Sequence, residues 1–182
     1  MAHWRAPAKT TGHAHRIGGR AHDDGVSALE SNTEGNDNIA IGSVALGHNT
    51  TGDDNTAVGS NALQNNTTGN QNVALGFGAG RRLNDGDYSY NTIASNSIYL
   101  GYDTRAKANN ETNQIVIGHS AIGDGSNSVV LGNSSITRTR LQGQVIMGSF
   151  TTEPSGIEGA IYYNSTNKKH YGFNGTTWNA LY

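Results

Sequence analysis

The side chains with the clearest capacity for metal chemistry are two histidines near the start of the chain. His13 and His15 flank Ala14, so on a strand both imidazoles would project from the same face. In a symmetric assembly, several copies of such a pair would meet a single axial metal ion. Two solvated histidines in an expression or docking peptide are the competing interpretation. We therefore predict no metal site. If a metal did bind, His13 and His15 are the residues that would hold it.

Five aromatic residues are the candidates for ligand contact. Tyr88 and Tyr90 lie in a segment rich in glycine, asparagine and aspartate, and Tyr163, Tyr171 and Trp178 lie near the end of the chain. Tyrosine and tryptophan combine a large contact area with a hydrogen-bonding group at low entropic cost. These five residues are predicted to contact a ligand, and packing within their own segments is the competing use of each.

The sequence contains none of the usual catalytic patterns. A nucleophile elbow, a His-Glu-x-x-His helix and a carboxylate pair in a coherent setting are all missing. Asp53 and Asp54 lack the spacing of a calcium loop. The run from Gly76 to Gly80 is followed by Arg81, where a dinucleotide-binding loop needs its last glycine. We expect no enzymatic activity and no cofactor.

Charge and cysteine content narrow the range of partners. The formal net charge is −2 and the chain has no cysteine. This charge gives no reason to expect binding to nucleic acid or to an anionic membrane. Neither disulfides nor thiolate metal sites can form. No run of apolar residues is long enough to cross a membrane, so no membrane insertion is expected.

The candidate residues must be positioned by a repeat, which is the strongest pattern in the chain. One eight-residue phrase occurs at 35–42, 52–59 and 69–76, and its closing glycines are seventeen residues apart. Weaker copies end at Gly101, Gly118 and Gly132, and residues 144–148 resemble a seventh. A fixed period of this kind predicts stacked structural repeats.

Within each copy, larger and small residues alternate over a few positions, which predicts a short strand. A second run after the closing glycine carries Ala45, Ala62 and Ala79 at one phase, as expected for a narrow interior. Each copy is therefore predicted to be one coil of a stacked, two-walled β-roll. The larger aliphatic residues are predicted to be buried: Ile39, Ile41, Val58, Val73, Leu75, Leu100, Ile115, Ile117, Val129 and Leu131.

Asparagine also recurs with the repeat. Asn38, Asn55 and Asn72 each precede a strand, so stacking would align them in a ladder. Asparagine amides bond to neighbouring backbone groups and tolerate left-handed turns. A structural role in the turns is predicted, and ligand binding is the alternative.

Three segments are predicted along the chain. Residues 1–34 belong to no repeat and are interpreted as a docking or tether segment, and residues 35–148 form the roll. Residues 83–96 interrupt the period and are predicted to bulge from the stack. Residues 149–182 contain three short runs with strand character, linked by turn signals that include Asn174-Gly175. They are predicted to form an antiparallel β-meander that caps the open end of the roll.

The phrases at 38–42, 55–59 and 72–76 resemble the head repeat of YadA-like trimeric adhesins. Followed by the run from Gly159 to Asn164 and by Trp178, they are also similar to bacteriophage tail and head fibre proteins. The resemblance implies an all-β fold with a left-handed parallel β-roll of about six to seven coils, assembled as a homotrimer.

The resemblance also implies a function. We expect a structural and adhesive fibre on the surface of a phage particle, attached either to the tail or to the head of that particle. Residues 1–34 would dock on a capsid or tail protein, and the distal part would contact a glycan or protein of the host surface. From this sequence we expect no signal peptide, coiled-coil stalk or membrane anchor, and this expectation favours a virion part. The alternatives are a purely structural capsid or tail decoration, or the head of a trimeric adhesin on a bacterial cell surface.

Overall fold

The computed structural model describes residues 21–85, 89–156 and 158–181, so His13, His15 and Tyr88 lie outside the described residues. These described parts are all-β and contain no helix. The chain divides into two compact units, the first ending at Thr137 and the second beginning at Arg138. The sequence instead places the boundary between residues 148 and 149.

The first unit is a stacked parallel β-solenoid, called the roll below. Its strands pair in chain order, each parallel to the next, as the period predicts. Ala57 pairs with Ala40 on one side and with Ala74 on the other, so the repeat length sets the register. The second wall stacks in step, because Leu46 N donates to Ala62 O at 3.0 Å. The strands are β1 (His22–Asp24), β2 (Ile39–Ile41), β3 (Thr56–Val58), β4 (Val73–Leu75), β5 (Ile98–Leu100), β6 (Ile115–Ile117) and β7 (Val129–Leu131).

The roll starts earlier than the sequence predicts. Strand β1 pairs with β2 and lies inside residues 1–34, which were predicted to belong to no repeat. Its three residues, His-Asp-Asp, lack the aliphatic pattern because they form the exposed first strand of the sheet. The second wall of this coil does follow the repeat, since Ala28 and Leu29 are buried like Ala45 and Leu46.

The seventh copy suspected at residues 144–148 is not a strand of the roll. No strand is assigned there, and Ile146 is 91% exposed. The reason lies in the residues after β7. In most coils an alanine lies three residues after the closing glycine. After Gly132 this position is Ser135, and the chain continues with the exposed Arg138 and Arg140. No second wall therefore forms on which a further coil could stack.

The alternation within the strands is present, but its direction is the reverse of the prediction. The small central residues Ala40, Ala57 and Ala74 point inward and are fully buried. The interior is narrow because the opposite wall already contributes alanine and leucine side chains. The residues predicted to be buried instead lie on the outer face, either exposed or half-buried: Ile39, Ile41, Val58, Val73, Leu75, Leu100, Ile115, Ile117, Val129 and Leu131.

The interior widens at one coil to accept an aromatic ring. Tyr99 occupies the position held by alanine in the preceding coils and is fully buried. Gly80 makes room for it: a Cβ at Gly80 would lie 2.7 Å from the Tyr99 ring. Leu63 occupies the position of Gly80 in the preceding coil, so the large residue on one wall is matched by a small residue on the other.

Burial raises the pKa of Tyr99 to about 12, although hydrogen bonds from Asn91 and Ser97 oppose the shift. The unfolded phenol ionises near its usual pKa of about 10. The stability that Tyr99 contributes is therefore complete below about pH 10 and is lost as the pH rises towards the folded pKa.

We expect one tyrosine to ionise late in an alkaline titration followed by phenolate absorbance. Tyr99→Phe should remove that late step, and a late step that persists in Tyr99→Phe would contradict the assignment.

The asparagine ladder is confirmed. Asn38, Asn55 and Asn72 are fully buried. Asn55 Nδ2 donates to Asn38 Oδ1 at 3.1 Å, and Asn72 Nδ2 donates to Asn55 Oδ1 at 2.8 Å. Each amide also bonds to a backbone carbonyl in a turn, as Asn55 Nδ2 does to Gly69 O at 2.8 Å. The ladder thus supplies polar partners inside a roll that has few large apolar residues.

The second unit contains a four-stranded sheet. Strands β9 (Ile161–Asn164), β10 (Lys169–Phe173) and β11 (Trp178–Ala180) form the antiparallel meander that the sequence predicts. Strand β8 (Ser149–Phe150) adds to β9 in the parallel direction, which was not predicted.

Candidate functional site

The second unit is organised around one buried aromatic residue. Tyr162 is only 4% exposed. Its ring lies 6.0 Å from Phe150 and 4.6 Å from Trp178 in edge-on contacts, and is stacked 5.3 Å from Tyr171. The β-register explains this cluster, since Tyr162 pairs directly with Tyr171. Two of the predicted contact residues, Tyr171 and Trp178, therefore also pack the small unit.

Trp178 has a second role as the wall of a cleft. Its Nε1 donates to Pro154 O at 3.1 Å, and its ring lies 5.1 Å from that of Phe173. A Cβ at Gly156 would come within 2.6 Å of the Phe173 ring, so glycine is needed for this approach. The cleft has a volume of about 570 Å³ and is also lined by Glu153, Thr176 and Thr177. With Ser155, which also lines the cleft, one carboxylate, three hydroxyls and two aromatic rings form a suitable surface for a polyhydroxylated ligand.

The other predicted residue of this unit lies apart from the cleft. Tyr163 follows Tyr162 and therefore faces the opposite side of the sheet. It packs against His170 with 5.0 Å between ring centroids and is half-buried. The structure thus brings Tyr171 and Trp178 together at Tyr162, and it separates Tyr163 from them.

Only part of the bulge predicted at residues 83–96 leaves the stack, because Leu83, Asn91 and Ala94 are buried in the roll and Leu83 pairs in parallel with Ala106. Arg82 and Tyr90 form an antiparallel bridge, and Leu83 N donates to Ser89 O at 2.9 Å. Tyr90 is exposed at this short excursion. Arg81 lies where this excursion begins. Its pKa is lowered, mainly because the side chain is partly buried and secondly because Arg82 carries a like charge beside it.

The roll also carries an aromatic stack that the sequence analysis missed. The rings of Phe77 and Tyr102 are 5.3 Å apart, and those of Tyr102 and His119 are 5.2 Å apart, both nearly parallel. All three are exposed. The signal was present, because each residue directly follows the closing glycine of its repeat.

A further surface of the roll is the outer face of the parallel sheet. Aliphatic side chains from consecutive strands line this face, with exposures of up to 62%. The pairing register places them in two straight rows, such as Ile41, Val58, Leu75 and Leu100. Exposed apolar side chains gathered on one face make this face a candidate contact surface.

Other site types find no support within the residues that the structure describes. No group of three histidine, aspartate or glutamate side chains there is arranged to hold a metal ion. That same part of the chain has no helix with the length and hydrophobicity of a membrane span. Comparison with protein-family models, with curated proteins and with solved structures gives no match.

Proposed function

We propose that this protein is a structural and adhesive virion fibre of a phage, acting as a homotrimer without enzymatic activity. The observation that carries the proposal is the outward aliphatic face of the roll. The coils stack on an interior of alanine and asparagine, and the larger aliphatic side chains lie on the outside. Because exposed apolar surface is unfavourable in water, a partner must cover this face.

Cyclic symmetry offers the simplest way to cover that face. Three rolls placed side by side around one axis would each present the same rows of isoleucine, valine and leucine to a neighbour. The interior of one roll consists mostly of alanine and asparagine, so a single subunit has a thin core. Folding and assembly should therefore occur as one transition.

Host contact is proposed for the second unit, through the cleft at Trp178. Attachment to the capsid or tail is proposed for residues 1–34. Strand β1 (His22–Asp24) already belongs to the roll. We therefore assign the proposed attachment to the residues that precede β1.

Two variants test this polarity on assembled particles. Deletion of residues 1–20 keeps β1 and should give a trimer that no longer joins the particle. Trp178→Ala should still join the particle but lose at least about tenfold in host-cell binding, since aromatic anchors carry much of the affinity of such contacts. Tyr163→Ala is the matched control on the opposite face of the sheet and should keep binding.

Particle incorporation of the deletion variant would refute the assigned polarity. Equal losses in Trp178→Ala and Tyr163→Ala would indicate general damage to the unit, in which case the cleft is not the contact site. A trimer that joins the particle and binds no host cell would favour the purely structural decoration.

A further inference from the structure

The aromatic stack on the roll ends abruptly at Phe77. Gly78 N donates to Ser60 O at 2.9 Å, and Asp103 N donates to Phe77 O at 2.8 Å. These bonds place Ser60, Phe77 and Tyr102 at the same position of three successive coils. The ring separations of 5.3 and 5.2 Å follow the spacing of stacked strands. Each of these coils therefore adds one ring to the stack, until the series reaches a serine.

Among the residues that the structure describes, none places a ring against one face of Phe77. Its other face is stacked on Tyr102, and the residue is 46% exposed. Ser60 and Ser43 occupy the next two positions of the series, and both are short. The step between coils is close to the 5.3 Å that separates the stacked rings of Phe77 and Tyr102, so there is room for one ring-sized molecule at the level of Ser60, between Phe77 and Ser43.

Polar groups border this shelf. Asn61 Nδ2 donates to Ser60 Oγ at 3.4 Å, and Ser60 Oγ donates to Ser43 O at 3.4 Å. Both bonds are long, so these groups can exchange them for bonds to a ligand at small cost. The shelf itself is uncharged, and Asp103, which lies near Gly78, is paired with Arg105.

We propose that Phe77, Ser60 and Asn61 form a binding site for a neutral saccharide. A pyranose has an apolar C–H face, which would stack on Phe77 and continue the series of rings. Its equatorial hydroxyls point outward from the ring edge, where the Ser60 hydroxyl and the Asn61 amide can bond to them. The inference deepens the proposed host contact by adding a sugar site on the wall of the roll, separate from the cleft at Trp178.

The site can be tested on the full chain by saturation-transfer nuclear magnetic resonance. The probes are methyl β-glucoside, methyl β-galactoside and N-acetylglucosamine. We expect at least one of them to bind, with saturation concentrated on the protons of one ring face. Ser60→Phe places the chain's own ring on the shelf, and Phe77→Ser continues the native Ser43 and Ser60 series. Each should lower the affinity at least about tenfold, as expected for the loss of one aromatic stacking partner.

His119→Ser is the matched control, because it removes the ring at the opposite end of the same stack. It should change the affinity by less than about twofold, since additivity holds for sites without shared contacts. Unchanged affinity in Phe77→Ser, or binding of none of the three sugars by the parent protein, would overturn the site. A changed oligomeric mass in Phe77→Ser would assign the ring to a subunit interface and overturn it as well.

The same samples separate this inference from the proposed function. A trimer that binds no sugar refutes the saccharide site and leaves the fibre proposal standing. A monomer that binds sugar through Phe77 refutes the trimer and leaves the saccharide site standing.

Discussion

Leu75→Asp is expected to abolish the trimer. Leu75 lies on β4, the middle strand of the seven, and is exposed on the outer face of the subunit. In the proposed assembly this side chain is covered by a neighbour. Threefold symmetry then introduces three carboxylates at once, each costing the burial energy of a leucine, about 2 kcal/mol, plus the desolvation of a charge. A combined loss of more than about 6 kcal/mol exceeds what a thin-cored fibre can tolerate.

The measurement is the molar mass by light scattering at micromolar concentration, together with the midpoint of thermal unfolding. Thr68→Asp introduces the same charge at an exposed turn of the neighbouring coil and should leave both quantities unchanged. Leu75→Met keeps an apolar side chain and should remain trimeric. A trimer in Leu75→Asp with an unaltered melting temperature would show that the aliphatic face is not the subunit interface, and a parent protein that is a folded monomer would refute the trimer directly.

The sequence predicted the coil and its stacking because both depend on period. A phrase repeated every seventeen residues determines which residues lie above one another, whatever the shape of each coil. That is why the Asn38, Asn55 and Asn72 ladder and the alignment of Ala45 with Ala62 were predictable. The same argument finds β4 next to β5 although the insertion lengthens that coil, since the strand phrase resumes at Ile98.

The direction of the alternation was not predictable from period alone. A two-residue repeat defines two faces of a strand without saying which one is inside. The usual rule assigns larger aliphatic residues to the interior, and here it fails because the interior has room only for alanine in most coils. The invariable alanine at positions 40, 57 and 74 was the available clue. It becomes informative only when the width between the two walls is known.

Strand β1 and the aromatic stack were missed for a related reason. His22, Asp23 and Asp24 contain no aliphatic residue, so an alternating aliphatic pattern could not identify them as a strand. Phe77 and Tyr102 lie outside the strands, in a corner that the hydrophobic pattern does not cover. Both become visible when the chain is aligned on its closing glycines, since Gly25 then matches Gly42, and the two aromatic residues fall into one column.

Asn55→Asp is expected to destabilise the protein by about 3–5 kcal/mol, as is typical when a buried hydrogen-bonded group loses its partners and gains a charge. The side chains have nearly the same shape, so packing is unchanged. Asn55 Nδ2 now donates to Asn38 Oδ1 and to Gly69 O. A carboxylate cannot donate, and both acceptors would face a negative charge inside the roll.

The matched control is Asn70→Asp, the same chemical change in the same part of the repeat. Asn70 is exposed, and its Oδ1 accepts a bond from Asp53 N at 2.7 Å. In the preceding coil an aspartate already serves this role, since Asp53 Oδ1 accepts a bond from Asn36 N at 2.6 Å. We therefore expect Asn70→Asp to change the free energy of unfolding by less than about 0.5 kcal/mol.

The pH dependence separates a buried charge from a general packing defect. Burial would raise the pKa of an aspartate at position 55 above its unfolded value of about 3.9. The destabilisation is then complete above the folded pKa, and it diminishes as the pH falls towards the unfolded one, because the folded state binds the proton more tightly. Urea unfolding at fixed protein concentration should show a smaller difference between Asn55→Asp and the parent at pH 5 than at pH 7. A difference that stays constant with pH, or that equals the effect of Asn70→Asp, would mean that the ladder does not stabilise the roll through its buried amides.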